Sequence, residues 1–450
     1  MNLILLTLDS LRKDRLNFYN KESNIFTLYI NKLAEKSIVF YNMITASTCT
    51  DPSVASIMTG VYPNKHKVIN LADKLKIKDI PTLAEILKEN NFTTVGFVAV
   101  EHLNSYFCFN RGFDYFFDHN HTFIPIDPIL RKKIPFIKIK NKEVDIQRLV
   151  KFVIKKIFDE ETKNRLFVHC APGDVINTKV KRFFEKHKIR DRLFLWIHYF
   201  DIHMRWDYKG GIKEPFKEKL PPEDLLYYNN IYDSSVIQQD KILGQLFSIL
   251  EEYQLLDNSI IVVTADHGEY IFDNPKEPII HEGHGRTLYE CEINVPFILY
   301  LPKKNNYIKK IYQQTRTVDI MPTLLSLLGI KKEKETDGID LSPLLKGEEI
   351  SSEMKKRLDI AISSTYPVYL RAYSVRTPDW KFIYYVDQPE RNALYKMSPE
   401  PDETTNYYGE EYKIANELST VLSKYLSAPV QLPKPEDESI KEMLSSLGYL

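Results

Sequence analysis

A hydroxyl, several carboxylates and several imidazoles stand where this chain's apolar runs end. The hydroxyl is Thr50, in Thr50-Asp51-Pro52-Ser53-Val54-Ala55-Ser56-Ile57-Met58-Thr59-Gly60. Asp9 closes the apolar run at residues 3–8, and Asp266-His267-Gly268 follows the run at 259–264. His203 comes soon after the run at 193–200. His284 and Arg286 lie in His281-Glu282-Gly283-His284-Gly285-Arg286-Thr287-Leu288-Tyr289-Glu290, ahead of Val295-Pro296. A threonine hydroxyl is a poor nucleophile at neutral pH, and a cation bound to it stabilises the alkoxide. Carboxylates are hard, anionic cation ligands, whereas imidazole shifts preference toward transition metals. Thr50 also reads as a cap for a helix starting near Pro52. A helix N-terminus favours a bound anion as well, so the two roles are compatible.

The elements that must position these groups follow from the alternation of apolar strands with amphipathic helices. That alternation predicts an α/β fold with a large, mainly parallel sheet flanked by helices. Strands are expected at 3–8, 93–98, 193–200 and 259–264, and helices at 28–35, 82–89 and 228–253. Sites in open α/β sheets collect at the carboxyl ends of strands, where Asp266-His267 is placed. His198, inside the 193–200 run, is expected in the core. From about Thr317 the texture changes: a helix opens over 318–323, antiparallel strands are expected at 373–376 and 380–386, and a terminal helix near Tyr412. The expected division is a catalytic domain over 1–350 and a small C-terminal α+β subdomain over 355–450. A basic stretch at about 119–165 carries Arg131, Lys132, Lys133, Lys138, Lys140 and Lys142. It reads as a solvated insertion, with contact to an anionic substrate or surface as the alternative.

Composition narrows the classes. With 450 residues, 43% of them hydrophobic, the chain can bury a large core. Its 28 tyrosines and 24 phenylalanines argue against disorder. Lysine plus arginine equals aspartate plus glutamate at 61 each, so no global field draws it to nucleic acid or membrane. Four scattered cysteines without a CxxC pair suggest a reducing compartment. The opening run lacks the basic flank and length of a secretion signal and reads as a buried strand. No apolar stretch reaches the roughly 18 residues of a membrane span. The cytoplasm is the expected compartment, and nothing here fixes an oligomeric state.

The Thr50 segment resembles the nucleophile segment of the sulfatase family, within the alkaline phosphatase superfamily. There the pattern is Cys or Ser-x-Pro-Ser-Arg, then small and apolar residues, then Thr-Gly. Keeping Pro52-Ser53 and Thr59-Gly60 in register puts Thr50 at the nucleophile position, with Cys49 its rival should the loop slip by one. Sulfatases oxidise the Cys or Ser to formylglycine; the machinery reads Cys-x-Pro-x-Arg. Here Pro52 comes one place late after Cys49, and Val54 stands where the arginine belongs. Oxidising a threonine would give a ketone, so the resemblance implies plain alkoxide attack and a phosphoryl-threonine cleared by water.

Other segments extend the likeness over nearly the whole chain. Leu6-Thr7-Leu8-Asp9-Ser10 looks like the family's opening metal strand, with Ser10 where many sulfatases have a second aspartate. Thr264-Ala265-Asp266-His267-Gly268-Glu269 is similar to its second metal turn. The implied ligand set is Asp9, Thr50, Asp266 and His267. Calcium-dependent sulfatases usually carry Asn at the His267 position; Asp-His resembles the phosphodiesterase and phosphonate monoester hydrolase branch. One divalent ion is implied, Mn2+ or Zn2+ ahead of Ca2+, with a second metal left open. Leu195–His203 resembles the strand ending in Asp-Pro-His, which implies that His203 contacts the substrate's anionic oxygens or protonates the leaving group. The His281–Glu290 run resembles His-Gly-x-x-Leu-Tyr-Glu. It implies a phosphate contact or second-metal role for His284, with His281 as its neighbour, and charge balance by Arg286. The lysine of the family's Gly-Lys-Trp-His segment is missing from Gly96–Leu103, and His102 is left open. Arg376–Lys381, Leu394-Tyr395 and Pro401–Asn406 are similar too, and read as structural.

The resemblance implies a metal-dependent hydrolase of phosphate mono- or diesters or phosphonate esters acting on a small-molecule or saccharide substrate. The alternatives are a phospho-group transferase acting on a saccharide, a sulfuric ester hydrolase, and a binding protein without catalysis. Pocket walls are expected from loops at 102–125, 204–220 and 268–285; Arg205, Trp206 and Tyr208 read equally as a stacking surface for a sugar or aryl group and as aromatics that pack their own loop.

Overall fold

The computed structural model describes residues 1–118, 136–139, 142–145, 170–204, 222–271, 283–430 and 432, apart from 24, 72, 303–306, 332–333, 368–369, 400 and 402. Its main sheet is built from β1 (Asn2–Leu8), β2 (Ile38–Ile44), β3 (Thr93–Val98) and β4 (Tyr115–Phe117). A separate hairpin, β5 (Phe136–Ile139) and β6 (Lys142–Asp145), lies within the basic stretch. The rest of that stretch, with Arg131, Lys132, Lys133 and Lys140, lies outside the described residues. β7 (Leu193–Tyr199), β8 (Ser259–Ala265), β9 (Asn294–Tyr300), β10 (Lys310–Ile311) and β11 (Thr315–Arg316) complete the main sheet. The strand order is β10-β2-β9-β8-β1-β7-β3-β4, with β11 also on β2.

β1 pairs in parallel with β7 on one side and β8 on the other, and all three strands are buried from end to end. Central parallel strands covered on both faces need continuous apolar runs rather than alternation, which is what these segments supply. Register decides the site. Leu8 pairs with both Tyr199 and Ala265, so β1, β7 and β8 end level. Asp9, the 200–203 segment and Asp266-His267 therefore leave the sheet at one edge. One row further in, Thr7 is flanked by His198 and Thr264. β9 runs antiparallel to β8 and β2, which makes the sheet mixed.

The helix expected at 28–35 is Leu28–Glu35, and the next is Leu83–Glu89, entered through a Thr82–Glu85 capping box. The long helix extends further toward the N-terminus than expected, over Pro222–Glu252. Among the described residues no helix is long and apolar enough to cross a membrane.

β12 (Ala361–Ser364), β13 (Ala372–Arg376), β14 (Trp380–Tyr385) and β15 (Ala393–Lys396) form a small antiparallel sheet. Val375, Phe382 and Leu394 pack with Ala415 and Leu422 of the terminal helix, Tyr412–Leu426. Hydrogen bonds and ion pairs tie this subdomain to the main body. Thr48 N donates to Ser364 O (3.0 Å), Ser364 N to Ala46 O (3.1 Å) and Ser363 Oγ to Thr45 O (2.6 Å). Arg376 and Lys381 meet Glu290 at 2.8 and 3.2 Å, and Lys381 also pairs with Glu403.

Candidate active site

Thr50 is the first residue of the helix Thr50–Thr59, two places earlier than expected. Cys49 occupies the cap position and no side chain caps the helix. Pro52 is tolerated inside the first turn because its missing N–H would find no partner there anyway. The first helical bond runs from Ser53 N to Cys49 O (3.1 Å). Released from capping, the Thr50 hydroxyl faces the sheet edge. Its Oγ1 lies 3.2 Å from Asp9 Oδ2 and 3.2 Å from His267 Nε2. Val54 is fully buried in the same helix, in the place of the family's arginine.

The Asp266-His267 turn is fixed from several sides. Thr45 Oγ1 and Ser53 Oγ donate to Asp266 O at 2.5 and 2.6 Å, and His267 N donates to Asp266 Oδ1 at 2.9 Å. Gly268 is required next: a Cβ there would stand 1.9 Å from Cys291 O. His267 Nδ1 is 2.8 Å from Gly268 O. A carbonyl only accepts, so Nδ1 carries the proton and Nε2 turns its lone pair toward Thr50. Ser10, in the left-handed region at φ 61°, donates its N–H to Asp266 Oδ1 (3.3 Å) and its hydroxyl to Asp9 Oδ1 (2.8 Å).

Asp9 and Asp266 are both buried, and they share a charge problem. Burial and the Asp9 charge push the Asp266 carboxyl up to about 7. Burial also opposes ionisation of Asp9, yet the neighbouring His198, His203 and His267 outweigh it and hold its pKa well below the ordinary value. Two buried atoms here, Asp266 Oδ2 and His198 Nε2, have no hydrogen-bond partner. Ligand atoms of Asp9, His198 and Asp266 all lie within 4.8 Å of one another. Crowded oxygens of adjacent carboxylates, with an unpartnered carboxylate oxygen and an unpartnered imidazole nitrogen among them, fit a divalent cation.

Above this cluster the imidazoles gather. The His267 and His284 rings are 4.2 Å apart between centroids, and those of His203 and His284 5.0 Å. His203 stacks on Phe200 at 4.2 Å. Burial lowers the His203 pKa to about 4, so at neutral pH it is an uncharged hydrogen-bonding group. His284 Nδ1 lies 3.2 Å from Glu269 Oε1. Glu292, pushed well above its ordinary pKa by burial and by Glu269, accepts from Gly285 N at 3.2 Å. Arg286 follows on this loop, half-buried. His281 falls outside the described residues, as do Arg205, Trp206 and Tyr208.

Three groups in this neighbourhood were given no site role from the sequence. His198, expected in the core, is fully buried but stands 3.4 Å from Asp9 Oδ2. His102 pairs with Asp51, the residue following Thr50. Burial opposes protonation of His102, and the Asp51 carboxylate overrides it, raising the pKa. Glu269 is the third. A histidine within a central strand signals such a role only once its neighbouring strand is known.

The family model described as Sulfatase matches residues 1–330, and one described as N-sulphoglucosamine sulphohydrolase, C-terminal, matches residues 284–428. An N-acetylgalactosamine-6-O-sulfatase of Bacteroides thetaiotaomicron is 22% identical over 94% of this chain and 92% of its own length. An N-acetylglucosamine-6-O-sulfatase of the same organism is 28% identical over 50% of this chain and 41% of its own length. Among solved structures, the phosphonate monoester hydrolase of Agrobacterium radiobacter superposes with a TM-score of 0.66 at 17% identity, covering 95% of both chains.

Proposed function

The chain belongs to the sulfatase family, and on that premise we propose a metal-dependent hydrolase of phosphate or phosphonate esters with Thr50 as nucleophile. One observation carries the reading: Thr50 Oγ1 reaches both Asp9 and His267 at 3.2 Å, while Cys49 takes the helix-cap position. Asp9, Asp266, His267 and Thr50 would hold the cation, which supplies charge to stabilise the alkoxide and the reacting group. The Thr50 proton already faces acceptors at Asp9 Oδ2 and His267 Nε2. Thr50 Oγ1 attacks phosphorus as the leaving oxygen departs in line, and water then cleaves the phosphoryl-threonine at phosphorus. Uncharged His203, with His284 and Arg286, donates hydrogen bonds to the equatorial oxygens. A sulfated threonine lacks the aldehyde-forming exit of formylglycine, which favours phosphorus over sulfur.

A second reading, sulfuric ester hydrolysis, is favoured by the names of the curated relatives. A panel of p-nitrophenyl phosphate, bis-p-nitrophenyl phosphate, p-nitrophenyl phenylphosphonate and p-nitrophenyl sulfate separates the two. The expected result is turnover of a phosphorus ester that vanishes in Thr50→Ala and persists in Cys49→Ala. Turnover of the sulfate alone, with formylglycine at Cys49 in the peptide mass, would refute it. Adding an alcohol acceptor and analysing the products distinguishes hydrolysis from transfer to a saccharide.

A further inference from the structure

The geometry points to His198 as a further ligand of the cation, entering from β7 to compensate for Ser10. This rests on the metal-dependent reading and deepens it: the centre becomes two carboxylates, two imidazoles and a threonine hydroxyl.

The argument starts from what Ser10 does. It offers no carboxylate; its hydroxyl is spent on Asp9 Oδ1 at 2.8 Å, and its N–H on Asp266 Oδ1. The set is therefore one anionic ligand short of a two-aspartate opening. On the neighbouring strand, the Thr7–His198 pairing brings an imidazole to the row just inside Asp9. His198 is fully buried, and its Nε2 reaches 3.4 Å from Asp9 Oδ2 without forming a hydrogen bond. Asp266 Oδ2, equally buried, is orphaned across the same space. Buried polar atoms are usually hydrogen-bonded, and two orphans in a cluster whose ligand atoms all lie within 4.8 Å of one another fit a shared partner.

The other side of the ring is held. His198 Nδ1 lies 2.8 Å from Thr7 Oγ1, which also accepts from Trp196 Nε1 at 3.1 Å. Thr7 Oγ1 is within 3.5 Å of Ile197 O, where its own proton can go. With Nδ1–H donating to Thr7, every hydrogen-bonding position of that hydroxyl is filled: two accepted bonds and one donated. Nε2 then presents a lone pair beside two carboxylates, an arrangement that a cation satisfies. Thr7 and Trp196 thus orient the ligand in the way that outer partners orient metal-bound histidines. If instead Thr7 donates to Nδ1, Nε2–H is left with a 3.4 Å approach to Asp9, and Asp266 Oδ2 still has nothing. Two imidazoles among the ligands favour a borderline transition metal such as Zn2+ over Ca2+.

The test is zinc K-edge X-ray absorption on the full chain loaded with one equivalent of Zn2+, together with the zinc Kd by competition with a chromophoric chelator. The expected result is two imidazole nitrogens in the wild-type protein, falling to one in His198→Gln, with Kd weakened about 10–100-fold. Thr7→Val should keep the count while weakening Kd by about tenfold. A wild-type count of one, or a His198→Gln protein with unchanged count and Kd, would overturn the assignment, and the wild-type count of one does so even if the variant fails to fold. Tight zinc binding with phosphoesterase activity but a single imidazole would sink this inference alone. Absence of stoichiometric Zn2+, Mn2+ or Ca2+ binding would sink the metal-dependent reading with it.

Discussion

Titrating Zn2+ into the metal-free protein at several pH values tests the electrostatics of the Asp9–Asp266 pair directly. Asp266 is raised from an ordinary aspartate value of 3.8 to about 7, burial being the larger cause and the Asp9 charge the second. At about 1.4 kcal/mol per pH unit, ionising this carboxyl costs roughly 4 kcal/mol more in the metal-free protein than in solvent. The sign follows from linkage. The native state holds a proton that the unfolded chain has lost, so Asp266 withdraws stability from the metal-free protein as pH rises from about 4 to about 7. Asp9, with its lowered pKa, acts in the opposite sense, contributing stability above 3.8 that is lost as pH falls. A cation must displace the Asp266 proton, so below pH 7 affinity should fall about tenfold per pH unit. Calorimetry in buffers of different ionisation enthalpy counts the released protons. At least about 0.9 proton per metal is expected from Asp266 at pH 6, and about 0.1 at pH 8. Proton release near zero at pH 6 would refute the reasoning, because Asp266 would then already be ionised without the metal.

Thr50→Ala should lower kcat on the best phosphorus ester by about 10⁴-fold or more while leaving zinc binding measurable, as read by steady-state kinetics and dialysis. His203→Ala should cost about 10²–10³-fold in kcat with little change in the folded state, since it removes a hydrogen-bond donor; equal activity in the variant would exclude it from the reaction. Lys381→Met should destabilise the protein by about 3–5 kcal/mol in urea unfolding, because Glu290 and Glu403 lose a fully buried partner. The Asp51–His102 pair predicts a pH signature. His102 has a pKa raised above 6.5, so its stabilisation is full below pH 6.5 and is lost as pH rises through the raised value. His102→Gln should flatten that decline in a series of urea melts.

Much of this architecture was legible because local sequence and final environment agree. The runs in β1 and β8 are continuous and apolar, and both strands are buried on all sides. Thr82 and Glu85 form the box that starts the helix expected at 82–89. The Thr50 register could be counted from Pro52-Ser53 and Thr59-Gly60, although the helix start could not. A proline rule places that start at Pro52, whereas the first turn admits proline at a later position as readily. What escaped was everything set by strand order. Nothing local says that β7 lies beside β1, so His198 read as a core residue rather than as a neighbour of Asp9. The same holds for His102, whose partner Asp51 lies across the sheet edge on a different element. Sequence assigns a side chain to a face, but the pairing of distant strands decides which other side chain it meets.

The hydrogen bonds from β12 to residues 45–48 have a consequence for how the molecule opens. The segment that delivers Thr50 to the sheet edge is held on one flank by Ser363 and Ser364, so it cannot detach while the small sheet stays docked. Amide exchange at Thr48 and Ser364 should then report a single joint opening, slower than that of the outer strands β10 and β4. The candidate site is in this sense the keystone between two sheets, and fluctuations that undock one of them dismantle the other's edge.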